Sequence, residues 1–162
     1  MAPVANHVAF TAPINPPGAT PVLTRAQVWS CIELKIRSAE TFVPKSIEST
    51  VVLSEEVDPT SGNPVTVRDV IFIEGKRKVR ERCIAYEPSR VDFIQEDGST
   101  IHNITSEDDI GGLLLTYVFE WRHPGASKEE LAAFAEKEKK LSRVAVNGTI
   151  DVMRELAKNG KI

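Results

Sequence analysis

Cysteine is scarce in this chain: Cys31 and Cys83 are the only two in 162 residues. Two cysteines cannot build the multi-bridge framework of a small secreted domain, so reduced thiols and a cytoplasmic protein are expected. Long apolar runs are also missing, which excludes membrane insertion through a transmembrane helix. The N-terminal stretch has neither a basic leader nor a long apolar core, so no signal peptide is expected. There is no surplus of positive charge either. Twenty Lys and Arg face 23 Asp and Glu, for a net charge of −3, and nothing in that balance suits a nucleic acid. The three histidines, His7, His102 and His123, lack metal-ligand spacing, and no metal site is expected. No GxSxG, glycine-rich phosphate loop or dinucleotide fingerprint occurs, so no cofactor is expected. Repeats and low-complexity tracts are absent, and the length suits a single domain over residues 1–162.

What the sequence does contain is a long amphipathic segment in its last quarter. Ser127 and Glu130 form a capping box. Leu131, Phe134, Ala135, Leu141, Ala145, Gly148, Val152 and Leu156 then recur at helical spacing. Asn147-Gly148 is a turn signal, but the stripe stays in phase across it, so one helix is expected. Near the N-terminus, residues 7–14 read as a strand, followed by a Pro/Gly loop. Thr24 caps a short helix whose apolar stripe is Val28, Cys31, Ile32, Lys35 and Ile36. At most one or two more helical turns fit before Pro44. From residue 46 to about 122 the period changes to two, and six strand candidates follow one another through short breaks. Short connections imply an antiparallel meander. A curved seven-stranded antiparallel sheet, with two short helices after its first strand, would wrap the long C-terminal helix and share its core.

Hairpin arithmetic predicts which side chains face that helix. A two-residue Asp97-Gly98 turn pairs Gln95 with Thr100 and Phe93 with His102; a Gly75-Lys76 turn pairs Phe72 with Val79 and Arg68 with Cys83. On the most apolar alignment the inner face carries Val51, Leu53 and Glu55, then Arg68, Val70 and Phe72. It continues with Val79, Glu81, Cys83 and Ala85, then Val91, Phe93 and Gln95. Thr100, His102 and Ile104 follow, then Leu113, Leu115, Tyr117, Phe119 and Trp121. Asp69, Arg80, Asp92, Asn103 and Glu120 fall outside. The inner polar groups must pair with one another, with water or with a ligand, because unpaired burial costs several kcal/mol. One reading is a structural network in which Arg68 neutralises Glu55 and Glu81. The other is a ligand cavity.

Three segments carry more than periodicity: residues 11–29 (TAPINPPGATPVLTRAQVW), 91–104 (VDFIQEDGSTIHNI) and 116–125 (TYVFEWRHPG). Together they resemble a small family of START-like (SRPBCC) proteins of fungi and bacteria, named after protein L of the acetylaranotin biosynthesis cluster. The resemblance runs from about Val8 to Ile162. It implies the helix-grip fold, a cavity beneath the C-terminal helix and, for some members, a link to fungal secondary-metabolite biosynthesis. It brings no catalytic residues with it.

The expected function is therefore to hold a small, largely apolar or aromatic metabolite, with a cofactor-free cyclisation or isomerisation inside the cavity. Such chemistry needs a shaped site and one or two acid/base groups. The register nominates Glu81 or His102 as base and Tyr117 as hydrogen-bond donor. Arg68, Phe72, Phe93, Gln95 and Thr100 are candidate ligand contacts. So are Leu115, Phe119 and Trp121 on the last strand, and the small-residue stripe Ala145, Gly148 and Val152 on the helix. Two rivals use the same residues: a carrier without turnover, and an interaction module whose cavity is filled by its own side chains.

Overall fold

The computed structural model describes residues 4–162. β1 (Ala5–Pro13) leads through a Pro/Gly loop to α1 (Arg25–Arg37) and the single turn α2 (Ala39–Phe42). β2 (Ile47–Val57), β3 (Pro64–Phe72), β4 (Lys78–Tyr86), β5 (Arg90–Gln95), β6 (Thr100–Glu107) and β7 (Leu113–Arg122) follow, and α3 (Lys128–Lys158) ends the chain. All seven strands form one curved antiparallel sheet in the order β1-β7-β6-β5-β4-β3-β2. No helix among the described residues is long and apolar enough to cross a membrane.

Local chemistry explains the helices. Thr24 and Gln27 form a reciprocal capping box on α1, and Ser127 and Glu130 do the same on α3. α3 runs unbroken through Asn147-Gly148 for 31 residues, about 46 Å at 1.5 Å per residue. It lies chiefly against β1, β7 and α2. Its buried face is Glu138, Ser142, Val146, Thr149, Ile150 and Met153. That stripe is turned by about one position from the expected one: Phe134 and Leu141 are exposed, and Ala145 and Val152 only flank the core. The stripe expected from apolar residues alone missed the inward Thr149, Ser142 and Glu138, because each has a polar partner or packs its stem. On α1 the expected stripe is the buried one, Lys35 included.

The registers differ from expectation in three places. The β5–β6 loop has three residues, 96–98, closed by Gln95 N–H donating to Ser99 O at 2.9 Å. Asp92 therefore faces His102, and Phe93 faces Ile101. The one-residue change turns all of β6 over. His102, Thr100 and Ile104 leave the inner face, and Asn103, expected outside, is buried within. Gly98 allows this loop: its φ is +87°, and a Cβ at this position would run into the Arg122 guanidinium. The β3–β4 pairing shifts by two residues, so Arg68 faces Glu81 instead of Cys83; an even shift keeps every side chain on its face. In β2, irregularities between Ile47 and Ser49 and between Val52 and Ser54 break the alternation. Val51 and Leu53 are exposed, and Glu55 sits at the sheet edge in an ion pair with Arg37, not with Arg68.

Candidate functional site

Between the sheet, α1, α2 and α3 lies a cavity of about 250 Å³. Its aromatic wall comes from alternate residues of β5 and β7, as period two requires: Phe93, Tyr117, Phe119 and Trp121. The Phe119 and Trp121 rings stack at 4.4 Å, and Tyr117 meets Phe119 edge-on at 6.1 Å. Phe72, Ile101, Val43, Ile47, Leu141 and Ala145 add to the apolar lining, with Ala39. Exposed Lys45, Glu74, Arg77 and Leu141 mark the open side. There Lys137 Nζ of α3 reaches Glu74 Oε1 of the β3–β4 loop at 2.7 Å.

The inner end is polar and charged. Arg68 Nε and Nη2 donate to Glu81 Oε2 at 2.9 and 2.7 Å, while Nη1 donates to the Lys35 and Ile36 carbonyls at 2.8 Å each. Arg68 thus pairs with Glu81 and also caps the negative end of α1. Gln95 Nε2 donates to Glu81 Oε1 at 3.2 Å. Lys35 comes down from α1, its Nζ donating to Asn103 Oδ1 at 2.7 Å over the Phe93 and Tyr117 rings, 4.9 and 4.6 Å from their centroids. Among the described residues Asn103 Nδ2 has no partner.

This buried group holds two bases and one acid. Arginine does not give up its proton, so the lysine yields. Burial, then the nearby Arg68 charge, lower the Lys35 pKa from 10.5 to about 7, against a smaller opposing pull from Glu81. Tyr117 is pushed up by burial, and its hydroxyl donates to Thr149 Oγ1 at 2.8 Å, which donates in turn to Ala145 O. Burial also pushes the Cys31 and Cys83 thiols up to about 12, which makes both poor nucleophiles.

Nine of the expected site residues line the cavity: Arg68, Phe72, Glu81, Phe93, Gln95, Tyr117, Phe119, Trp121 and Ala145. Five do not. His102 lies on the outer face in contact with Asp92, and Thr100 is on that face too. Leu115 is fully buried in the core without reaching the cavity. Gly148 faces the Phe42 carbonyl, 3.8 Å from a Cβ built on it, and Val152 packs on the core. Sequence reasoning missed Lys35 as a site residue, although a lysine on the apolar stripe of a short helix was a usable signal. Lys45 and Arg77, outside the helices and strands, carried none, and Leu141, on the expected apolar stripe of α3, was not singled out for the site.

The sequence matches the family described as Acetylaranotin biosynthesis cluster protein L over residues 8–160. The chain belongs to that family. Curated proteins give no match. Among solved structures, the di-domain ARO/CYC StfQ from the steffimycin biosynthetic pathway superposes with a TM-score of 0.67 at 8% identity, covering 97% of this chain. The chain spans about half of that protein's length, 52%. Ara h 8.0201 superposes with a TM-score of 0.55 at 11% identity, covering 96% of this chain and 99% of its own. At such identities these likenesses establish the fold, which is helix-grip.

Proposed function

We propose that this family member binds a small, largely apolar or aromatic metabolite in its cavity and promotes a cofactor-free cyclisation or isomerisation there. The observation that carries this reading is the cavity itself: about 250 Å³, walled by stacked aromatic rings, with convergent polar groups at one end. An interaction module that fills its own interior would not keep such a space. The ARO/CYC designation of the StfQ neighbour and the biosynthesis cluster in the family's description agree with a biosynthetic role. Shape would fold the substrate into a reactive conformer. Glu81 and Tyr117 remain the nominated base and donor, without His102. A carrier without turnover is the second reading, favoured by one observation: both Glu81 oxygens and the Tyr117 hydroxyl are already engaged.

The test has two arms. Titration with aromatic probes such as 2-naphthol, followed by Trp fluorescence, should saturate at one site and weaken when Phe119→Ala opens the wall. Incubation with candidate linear precursors, followed by mass spectrometry, should show isomeric or dehydrated products. Saturation without product supports the carrier; no saturation by any probe rejects both.

A further inference from the structure

We infer that Lys35 is a reactive amine that condenses with the carbonyl group of a ligand held in this cavity, so that the substrate class is an aldehyde or ketone on an apolar or aromatic body. The inference rests on the cavity being a ligand site, and it goes further by naming the ligand's functional group and the atom that meets it.

Three features support it. Lys35 lines the cavity, although it is only 6% exposed. Among the described residues its Nζ has a single hydrogen-bond partner, Asn103 Oδ1, and no carboxylate within ion-pair distance. Glu81, the carboxylate whose charge acts on Lys35, is taken by Arg68. A buried lysine beside an arginine and without an acid of its own is the arrangement that makes an amine neutral and nucleophilic near neutral pH. The direction of its titration agrees. The Phe93 and Tyr117 rings beneath Nζ give a flat apolar body a surface beside the amine.

The chemistry balances without a co-reactant. The nitrogen lone pair attacks the carbonyl carbon to give a carbinolamine. Both amine protons then leave with the former carbonyl oxygen as water, and a C=N bond replaces C=O. The imine, once protonated, acidifies the neighbouring C–H. That would let the proposed cyclisation proceed without a strong carboxylate base.

Reductive trapping tests this. The full chain is incubated with 2-naphthaldehyde and sodium cyanoborohydride near neutral pH, and adducts are located by peptide mapping. The hydride fixes the imine as a secondary amine at the residue where it formed. The expected result is a single early adduct at Lys35 ahead of the other nine lysines, at least tenfold faster than any of them, suppressed by 2-naphthol and absent in Lys35→Met. Mapping on the parent keeps the test valid even if the variant folds poorly. Labelling spread over surface lysines while 2-naphthol still saturates the cavity would overturn the imine and leave the binding reading standing. Spread labelling with no 2-naphthol binding would overturn both.

Discussion

Lys35→Met should flatten the dependence of stability on pH above neutrality. In the native chain Lys35 titrates at about 7, against 10.5 for an ordinary lysine. Between those values the unfolded chain holds a proton that the native chain has released. Stability must then rise with pH, by up to about 1.4 kcal/mol per unit. Below the native pKa the full penalty of burying the charge is present; it is relieved as pH rises. Because the native group is half-titrated at about pH 7, the gain between about pH 7 and about pH 8.5 is on the order of 1–2 kcal/mol. The titratable or charged groups facing Lys35 are Arg68 on β3, Glu81 and Cys83 on β4, and Tyr117 on β7. Cys83 and Tyr117 are shifted upward and stay protonated in this window. Above the ordinary thiol value of 9.0 the cysteines act with the opposite sign, so the measurement stops short of it.

Methionine keeps the apolar stem and removes the titrating head. It also leaves Asn103 Oδ1 without its donor, a cost of about 1–3 kcal/mol that does not vary with pH. The informative quantity is therefore the slope, not the offset. Urea unfolding of both proteins at several pH values gives it directly. If the two profiles run parallel, Lys35 is an ordinary charged lysine in this fold and its proposed reactivity loses its physical basis.

Other outcomes follow from the same geometry. Arg68→Met should cost about 3–5 kcal/mol in urea unfolding, since it strands Glu81 and uncaps α1, and the double change with Glu81→Gln should cost less than the two single losses combined. Gly148→Ala should raise stability by about 0.5–1 kcal/mol, because its Cβ meets only Phe42 O at 3.8 Å in a helix interior that favours alanine; thermal melting reads it. His102→Ala should leave 2-naphthol affinity within about twofold, as its side chain is on the other face of the sheet. Lys45→Ala with Arg77→Ala should weaken a carboxylated naphthyl probe a few-fold, about 0.2–1 kcal/mol per exposed pair, with the difference fading in high salt.

The architecture was readable because its signals are redundant. α3 carries a capping box and a 31-residue pattern, and each strand is bounded by its own breaks. Losing one signal leaves the rest. Strand registers have no such redundancy. The Glu96-Asp97-Gly98-Ser99 stretch suits a two-residue loop and equally a three-residue loop with glycine in the left-handed position. The β3–β4 loop differs from expectation by an even number of residues, which cost nothing on face assignment, so Arg68 and Glu81 were placed inside. The β5–β6 loop differs by one, and His102 exchanged places with Asn103. The irregularities in β2 had no glycine to announce them, and they moved Glu55 to the edge.

Those two errors bear on the chemistry as well as on the map. With Glu55, Glu81, His102 and Arg68 together, the inner face would be rich in acid, and a carboxylate or imidazole base would be the natural reading. The fold removes Glu55 and His102, leaves Glu81 to Arg68, and brings Lys35 in from α1. The balance changes from two acids and one arginine to one acid and two bases. Of the two bases only the lysine can lose its charge, and that is why the proposal places the reactive group on an amine. The extra loop residue at positions 96–98 thus takes the imidazole off the inner face, and the β2 irregularities take a carboxylate off it.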